Sequence, residues 1–113
     1  MKVIEDSLEQ FRNSAIKAGD FSNSKAQNKA ARKLQAIYKT LRQTEEGRAG
    51  LSALMSDSNA GVRLSAAARC LQWDPDQATS VLEALRMLNI FPISFEAEMT
   101  IEQFNKGNLS FDF

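Results

Sequence analysis

The sequence predicts an all-α protein of about five to six helices in antiparallel pairs. Apolar residues recur at helical spacing through most of the chain, and turn or capping residues separate these stretches. No stretch alternates apolar and polar residues in the way that a half-buried strand does. Because the chain has 113 residues, we expect a single domain over 1–113.

The first two helices are predicted from apolar residues that share one helical face. On the first helix these are Ile4, Leu8, Phe11 and Ala15. Gly19 is placed to end that helix, and Phe21-Ser22-Asn23 is typical of a turn. Ser24 then opens the second helix, with Gln27 at the capping-box spacing. The second apolar face comprises Ala26, Ala30, Leu34, Ile37, Tyr38 and Leu41.

The next three helices are predicted from their starting residues. Thr44 can cap the third helix, and Glu45 and Glu46 follow where the helix dipole favours negative charge. The Asp74-Pro75 pair marks the start of the fifth, since aspartate caps a helix and proline fits its first position. The apolar face of the third helix comprises Leu51, Leu54 and Met55. The face of the fourth comprises Val62, Ala66, Ala67, Cys70 and Leu71, and the face of the fifth comprises Ala78, Val81, Leu82 and Leu85.

An irregular segment with one short helix is predicted for residues 90–113. Pro92 argues against a continuous helix there. Thr100 is expected to begin the short sixth helix and Gly107 to end it. Two phenylalanines of the terminal tail, Phe111 and Phe113, are expected to pack back on the body.

Residues 51–71 carry the most specific pattern in the chain. Leu51 to Asp57 is followed by Val62-Arg63, by the pair Ala66-Ala67 and by Leu71. This order resembles a HEAT repeat, of the HEAT/armadillo type of α-α superhelix. The resemblance implies that the turn aspartate caps the following helix and that the arginine bonds to groups of the turn. It also implies that paired alanines let two helices approach closely.

Over most of its length the chain resembles a family of small bacterial α-α superhelical domains of uncharacterised function. The resembling segments are Asn28-Lys29-Ala30, Ile37-Tyr38 and Leu41-Arg42, the pattern at 51–71, Asp74-Pro75 with Ala78 and Val81-Leu82-Glu83, and Ala97-Glu98-Met99-Thr100 with Phe104 and Lys106-Gly107. Some small all-helical proteins of this kind act as immunity proteins in bacterial toxin–immunity pairs. That link is an association and is weaker than the similarity of fold.

Composition argues against an enzyme. The chain has no histidine, which is the commonest general base near neutral pH and the commonest metal ligand. Its one cysteine, Cys70, has no histidine to activate it and lies on an apolar face, so we expect it to pack in the core. No catalytic residue, metal or cofactor is predicted.

The balance of polar and apolar residues suits a cytoplasmic protein. Charged residues make up 25% of the chain, and no apolar run is long enough to cross a bilayer. A single cysteine excludes an internal disulfide and fits a reducing compartment. The acidic start of the sequence does not resemble a signal peptide. We therefore expect no membrane partner.

Opposite charges separate along the chain. Residues 1–50 hold ten Lys/Arg against six Asp/Glu, for a net +4, and residues 51–113 hold four against eight, for a net −4. The basic half places Lys25, Lys29, Arg32 and Lys39 near one face of the second helix. An ordinary solvated face explains these residues best, and a nucleic-acid-binding face is the alternative.

The acidic half favours a basic protein partner such as a nuclease toxin. Opposed charges speed encounter and penalise wrong partners. Trp73 either closes the core at the corner between the fourth and fifth helices or anchors an interface. The sequence thus favours a non-enzymatic binding module, specifically an immunity protein that occludes a toxin's active site; a nucleic-acid-binding module or a small adaptor subunit is the alternative. The candidate partner-binding residues are Trp73, Asp74, Asp76, Glu83, Glu96, Glu98 and Glu102. An ordinary solvated face explains Glu96, Glu98 and Glu102 as well or better, and Asp74 and Asp76 also suit the start of the fifth helix.

Overall fold

The structure, a computed structural model, describes residues 2–19 and 24–112. Six α-helices and no strand occupy these two ranges, so the all-α prediction is confirmed. The helices are α1 (Lys2–Ala18), α2 (Ser24–Leu41), α3 (Glu45–Leu54), α4 (Ala60–Cys70), α5 (Pro75–Met87) and α6 (Ile93–Asn105).

Each described helix packs against the next one along the chain, and α4 lies at the centre of the six helices. Helix α4 contacts α1, α3, α5 and α6. Its inner face carries small residues, among them Gly61, Ala66 and Ala67, all buried, which let neighbouring helices approach closely. The largest fully buried side chains around it are Phe11, Tyr38, Leu41, Leu51, Met55, Leu82 and Leu85.

The predicted starts of α2, α3 and α5 are confirmed in position and only partly in chemistry. The Thr44 hydroxyl accepts the Gly47 N–H at 3.0 Å and caps α3. Pro75 occupies the first turn of α5, but the Asp74 side chain before it makes no capping hydrogen bond. Gln27 does not complete a capping box within the described residues. Its amide donates to the Ala18 carbonyl oxygen at 3.1 Å and so ties α2 to the end of α1.

The prediction that the sixth helix begins at Thr100 within an irregular segment is wrong, because α6 begins at Ile93. Pro92 directly precedes this helix, where its missing N–H costs no helical hydrogen bond. The Thr100 hydroxyl donates to the Glu96 carbonyl oxygen at 2.8 Å inside the helix and caps nothing. At the other end Gly107 has a φ of +73°, which confirms its predicted role in ending the helix.

The tail segment, residues 108–112, folds back along α2. The Gln35 amide donates to the Phe111 carbonyl oxygen at 3.0 Å, and Arg42 pairs with the Asp112 carboxylate. Phe111 is half-buried against the core, as predicted. Phe113 and the predicted turn Phe21-Ser22-Asn23 lie outside the described residues.

Candidate partner-binding surface

The turn between α3 and α4 is held by side chains that bond to one another. Arg12 on α1 donates from Nε to the Asp57 carboxylate at 2.8 Å, which lowers the pKa of that carboxyl. The same carboxylate accepts the Asn59 N–H at 2.9 Å, and Arg63 donates to the Asp57 carbonyl oxygen at 2.8 Å. The bond from Arg63 matches what the HEAT resemblance implies. These contacts use the polar groups of Asp57 within the protein, so the role that they support for the turn is structural.

The residue that caps α4 is Asn59, and the expectation that Asp57 caps it is wrong. The Asn59 side-chain oxygen accepts the Val62 N–H at 3.1 Å. Asp57 lies two residues further from the helix and is already used by Arg12. Both residue types cap helices well, so position relative to the first helical turn decides between them.

Trp73 closes the core at the corner between α4 and α5. Its indole N–H donates to the Ser52 hydroxyl at 3.3 Å, and its ring stacks on Tyr38 with centroids 6.2 Å apart. The side chain is half-buried and packs against the core cluster. Beside it Asp74 is half-buried, and Asp76 is exposed in the first turn of α5. Of the two roles that the sequence left open for Trp73, its contacts favour packing.

Residues 87–95, which we name the α5–α6 corner, expose apolar side chains that the sequence analysis did not assign to a surface. Phe91 is 81% exposed and Met87 is 71% exposed. Asn89 adopts a left-handed conformation with φ of 54° just after α5, where asparagine is tolerated. The exposed large apolar residues of this corner are Met87, Leu88, Ile90, Phe91 and Phe95. The rings of Phe91 and Phe95 lie side by side, with centroids 6.2 Å apart. An exposed apolar patch of this kind is a candidate interaction site.

The candidate glutamates Glu96, Glu98 and Glu102 all lie on α6, and they do not share one face. Glu98 and Glu102 are one turn apart and lie on the same side of α6 as Phe95, because residues four apart are neighbours on a helix. Glu98 also borders a surface depression together with Phe91 and Phe95. Glu96 lies nearly opposite, where it lines a different cleft. Of the three, only Glu98 borders the α5–α6 corner, and Glu102 lies one turn further along the same side of α6.

Two of the candidate carboxylates form ion pairs within their own helices. Glu83 accepts from Arg86 at 2.7 Å, and Glu102 accepts from Lys106 at 2.8 Å. Both pairs are exposed, and such pairs contribute little to stability. A partner could therefore bind Glu83 or Glu102 at the cost of breaking only a weak ion pair.

The structure brings most of the predicted basic stripe together on α2. Lys25, Lys29 and Arg32 are exposed and border one shallow depression. Lys39 differs, because it is half-buried and donates to the Asp112 carbonyl oxygen at 3.3 Å. The tail segment therefore occupies the end of the stripe that Lys39 was predicted to extend.

Cys70 is fully buried and hydrogen-bonded toward Ser52, with 3.9 Å between Sγ and the hydroxyl oxygen. The pKa of the thiol is raised to about 12, mainly by burial and in a smaller part by Asp74, while the Ser52 hydrogen bond and Arg69 oppose the rise. A thiol with that pKa is protonated at neutral pH and is a poor nucleophile. Packing is the role that its surroundings support.

The described ranges contain neither a cluster of metal ligands nor a helix suited to spanning a membrane. Residues 2–19 and 24–112 contain no group of three or more His, Cys, Asp or Glu side chains placed to hold a metal ion. Within those ranges no helix combines the length and the apolar character required to cross a membrane.

Taken together, these helices and surfaces describe an all-α protein with a closed core and an apolar corner bordered by carboxylates. Residues 7–105 match the family model described as Domain of unknown function (DUF2019), and the chain belongs to that family. Comparison with curated proteins and with solved structures gave no match. The superhelical arrangement that the HEAT resemblance implies therefore stays a prediction.

Proposed function

We propose that this protein is a non-enzymatic protein-binding module, and specifically an immunity protein that neutralises a bacterial toxin by covering its active site. The observation that carries the proposal is the α5–α6 corner. Phe91 and Met87 expose most of their surface to water, and Glu98 borders them. Interfaces are built in this way, with an apolar centre and a polar rim.

A basic partner domain suits this surface. Residues 51–113 carry a net charge of −4, Glu98 lies beside Phe91 and Phe95, and Glu102 follows one turn later on the same side of α6. A toxin that cleaves nucleic acid must attract phosphates, so its active site carries positive charge. Complementary charge accelerates encounter, and the apolar centre then supplies most of the affinity.

The experiment identifies the partner by co-purification from the native host and then reconstitutes the pair from purified components. We expect the protein to inhibit the partner's activity and to relieve the growth arrest that the partner causes. The double substitution E98K/E102K should lower the association rate about tenfold at low salt, since electrostatic steering has that size or more. F91S should raise the dissociation rate.

The matched control is E5K/E9K, which reverses two exposed carboxylates one turn apart on α1. It should leave both rates unchanged. A partner whose activity persists at saturating amounts of the protein contradicts the immunity function. Equal effects of E98K/E102K and E5K/E9K contradict the assignment of the surface.

A second candidate function, nucleic-acid binding, is favoured by the exposed group of Lys25, Lys29 and Arg32. It predicts salt-sensitive binding to duplex DNA or RNA, because neutralised phosphates release counterions. The triple substitution K25A/K29A/R32A should then abolish binding, while K17A on exposed α1 should not. Absence of salt-dependent affinity in the unmodified protein contradicts this function.

A further inference from the structure

Arg69 is a half-buried cation, with a buried Nε, that has no carboxylate partner among the described residues. Its guanidinium carbon lies 5.7 Å from the ring centroid of Phe11 and 5.7 Å from that of Tyr38. Nη1 donates to the Ser65 carbonyl oxygen at 3.0 Å, and the buried Nε has no hydrogen-bond partner in residues 2–19 and 24–112. Aromatic faces stabilise a cation but do not replace hydrogen bonds.

The charge is present at neutral pH although its surroundings oppose it. Burial lowers the pKa of Arg69 to about 10, which is still far above neutrality. A buried guanidinium without a counter-ion destabilises the fold, and pairing with an anion removes that penalty. The Arg69 guanidinium is therefore a positive charge that a negatively charged ligand could pair with.

Two clefts meet at this side chain. The first has a volume of about 220 Å³ and runs between α1, α2, α4 and α6, and the second has a volume of about 110 Å³ and lies beneath the tail segment. Both are lined by Ala68, Arg69 and Thr100. The first cleft adds the apolar side chains of Leu34 and Ile93.

The only acidic side chain that lines the described part of either cleft is Glu96. It is exposed, and it forms no ion pair with Arg69. The first cleft thus combines one unpaired cation with apolar side chains such as Leu34 and Ile93, and Gln27, Ser65 and Thr100 add polar groups to its walls. An anion that carries a hydrocarbon body matches both features.

We propose that the clefts at Arg69 form a binding site for a small monocarboxylate with an apolar body, with the carboxylate on the guanidinium and the body against Leu34 and Ile93. The planar guanidinium is suited to a planar carboxylate. The first cleft is smaller than the pockets that hold drug-sized ligands, which limits the ligand to a short chain or a single ring.

Titration with hexanoate tests the proposal, with hexanol as the neutral analogue and inorganic phosphate as the anion without a hydrocarbon body. Trp73, the only tryptophan, stacks on Tyr38, whose ring lies next to Arg69, so its fluorescence reports on the site. Calorimetry provides a second measurement. We expect saturable binding of hexanoate with a Kd of about 1 mM or below, and binding of hexanol and of phosphate at least about tenfold weaker.

The substitution R69M should weaken hexanoate binding at least about tenfold, because it keeps a long side chain and removes the charge. R86M removes an exposed arginine and should bind as the unmodified protein does. If R69M fails to fold by circular dichroism, R69K replaces it: it keeps the charge, lacks the planar fork and should also bind more weakly. Equal affinity for hexanoate and hexanol, equal affinity for hexanoate and phosphate, or unchanged affinity in the folded Arg69 variant overturns the proposal.

Discussion

The repeat segment, residues 51–71, and the α5–α6 corner, residues 87–95, are both rich in apolar side chains. The repeat segment buries many of them in the core, whereas the corner exposes several of them to water. In the repeat segment Leu51, Val62 and Cys70 are fully buried. In the corner Met87 and Phe91 are mostly exposed. The two segments therefore have similar composition and contribute to different properties: the first to stability, the second to an accessible apolar surface.

The difference arises from what packs against each segment. Helix α4 is contacted by α1, α3, α5 and α6, so its apolar residues face other helices. The corner lies where the chain passes from α5 to α6, and its exposed residues have no such cover among the described residues. Local apolar character thus sets the tendency to bury a residue, and the neighbours decide whether burial occurs.

The largest expected effect comes from truncating one apolar residue in each segment. L51A should lower the free energy of unfolding by about 2–5 kcal/mol, because it leaves a cavity in the core. F91A should change it by less than about 0.5 kcal/mol, since the ring is already in contact with water. Urea denaturation of both variants measures the two values.

A large loss of stability in F91A would contradict the description of the corner as an open surface. A small loss in L51A would show that the core can collapse around the missing side chain. F91A also serves the functional test, because it changes the surface while the fold is kept.

The fold was largely predictable because periodic apolar residues and capping residues act locally. The faces of α1, α2, α4 and α5 follow directly from residues such as Phe11, Leu34, Val62 and Leu82, all buried as predicted. The start of α6 was not predictable in this way. Proline both interrupts and begins helices, and only the position of Pro92 before the first turn distinguishes the two roles.

The next effect concerns Ser94, which joins the ends of α5 and α6 beneath the exposed corner. Its hydroxyl donates to the Leu85 carbonyl oxygen at 2.7 Å and accepts the Ile90 N–H at 2.8 Å. S94A should lower the free energy of unfolding by about 1–3 kcal/mol, because the Ile90 N–H loses its partner and the Leu85 carbonyl oxygen keeps only the N–H of Leu88. Thermal unfolding measures the change, and S80A, at an exposed serine of α5, is the control.

Equal Tm values for S94A and S80A would show that water replaces the hydroxyl, and that the corner is more open than its contacts indicate. A lower Tm for S94A alone supports a rigid base beneath the exposed apolar residues. Such a base reduces the entropy lost on binding a partner.

Less of the candidate surface could be predicted than of the fold, because a surface depends on which helix faces which. Glu96 and Glu98 are two residues apart in the sequence, and the helix that carries them places them on different sides. Arg69 has no distinguishing sequence signal, since an arginine in a helix is usually solvated. Its burial follows from the meeting of α1, α2 and α4 around Phe11 and Tyr38.

The smallest expected effect is a dependence of the free energy of unfolding on pH, and it comes from Cys70 in the buried repeat segment. Burial raises the pKa of the Cys70 thiol from 9.0 to about 12, so the folded protein keeps a proton that the unfolded chain releases. The stabilisation is complete below pH 9 and is lost as the pH rises toward 12. At pH 10, one unit above the unfolded pKa, the loss should be about 1.4 kcal/mol, because one pKa unit corresponds to about that much free energy.

Urea denaturation at several values between pH 8 and pH 10 measures this slope, and C70A should flatten it. Arg69 also titrates at the upper end of this window, because burial lowers its pKa to about 10, so the difference between the unmodified protein and C70A isolates the contribution of the thiol. A thiol reagent gives the direct contrast with the corner. Native Cys70 should react only on unfolding, whereas F91C in a C70A background should react at once, because Phe91 is accessible and Cys70 is not. Comparable rates at the two positions would mean that the repeat segment opens as readily as the corner, and the division between a closed core and an open surface would fail.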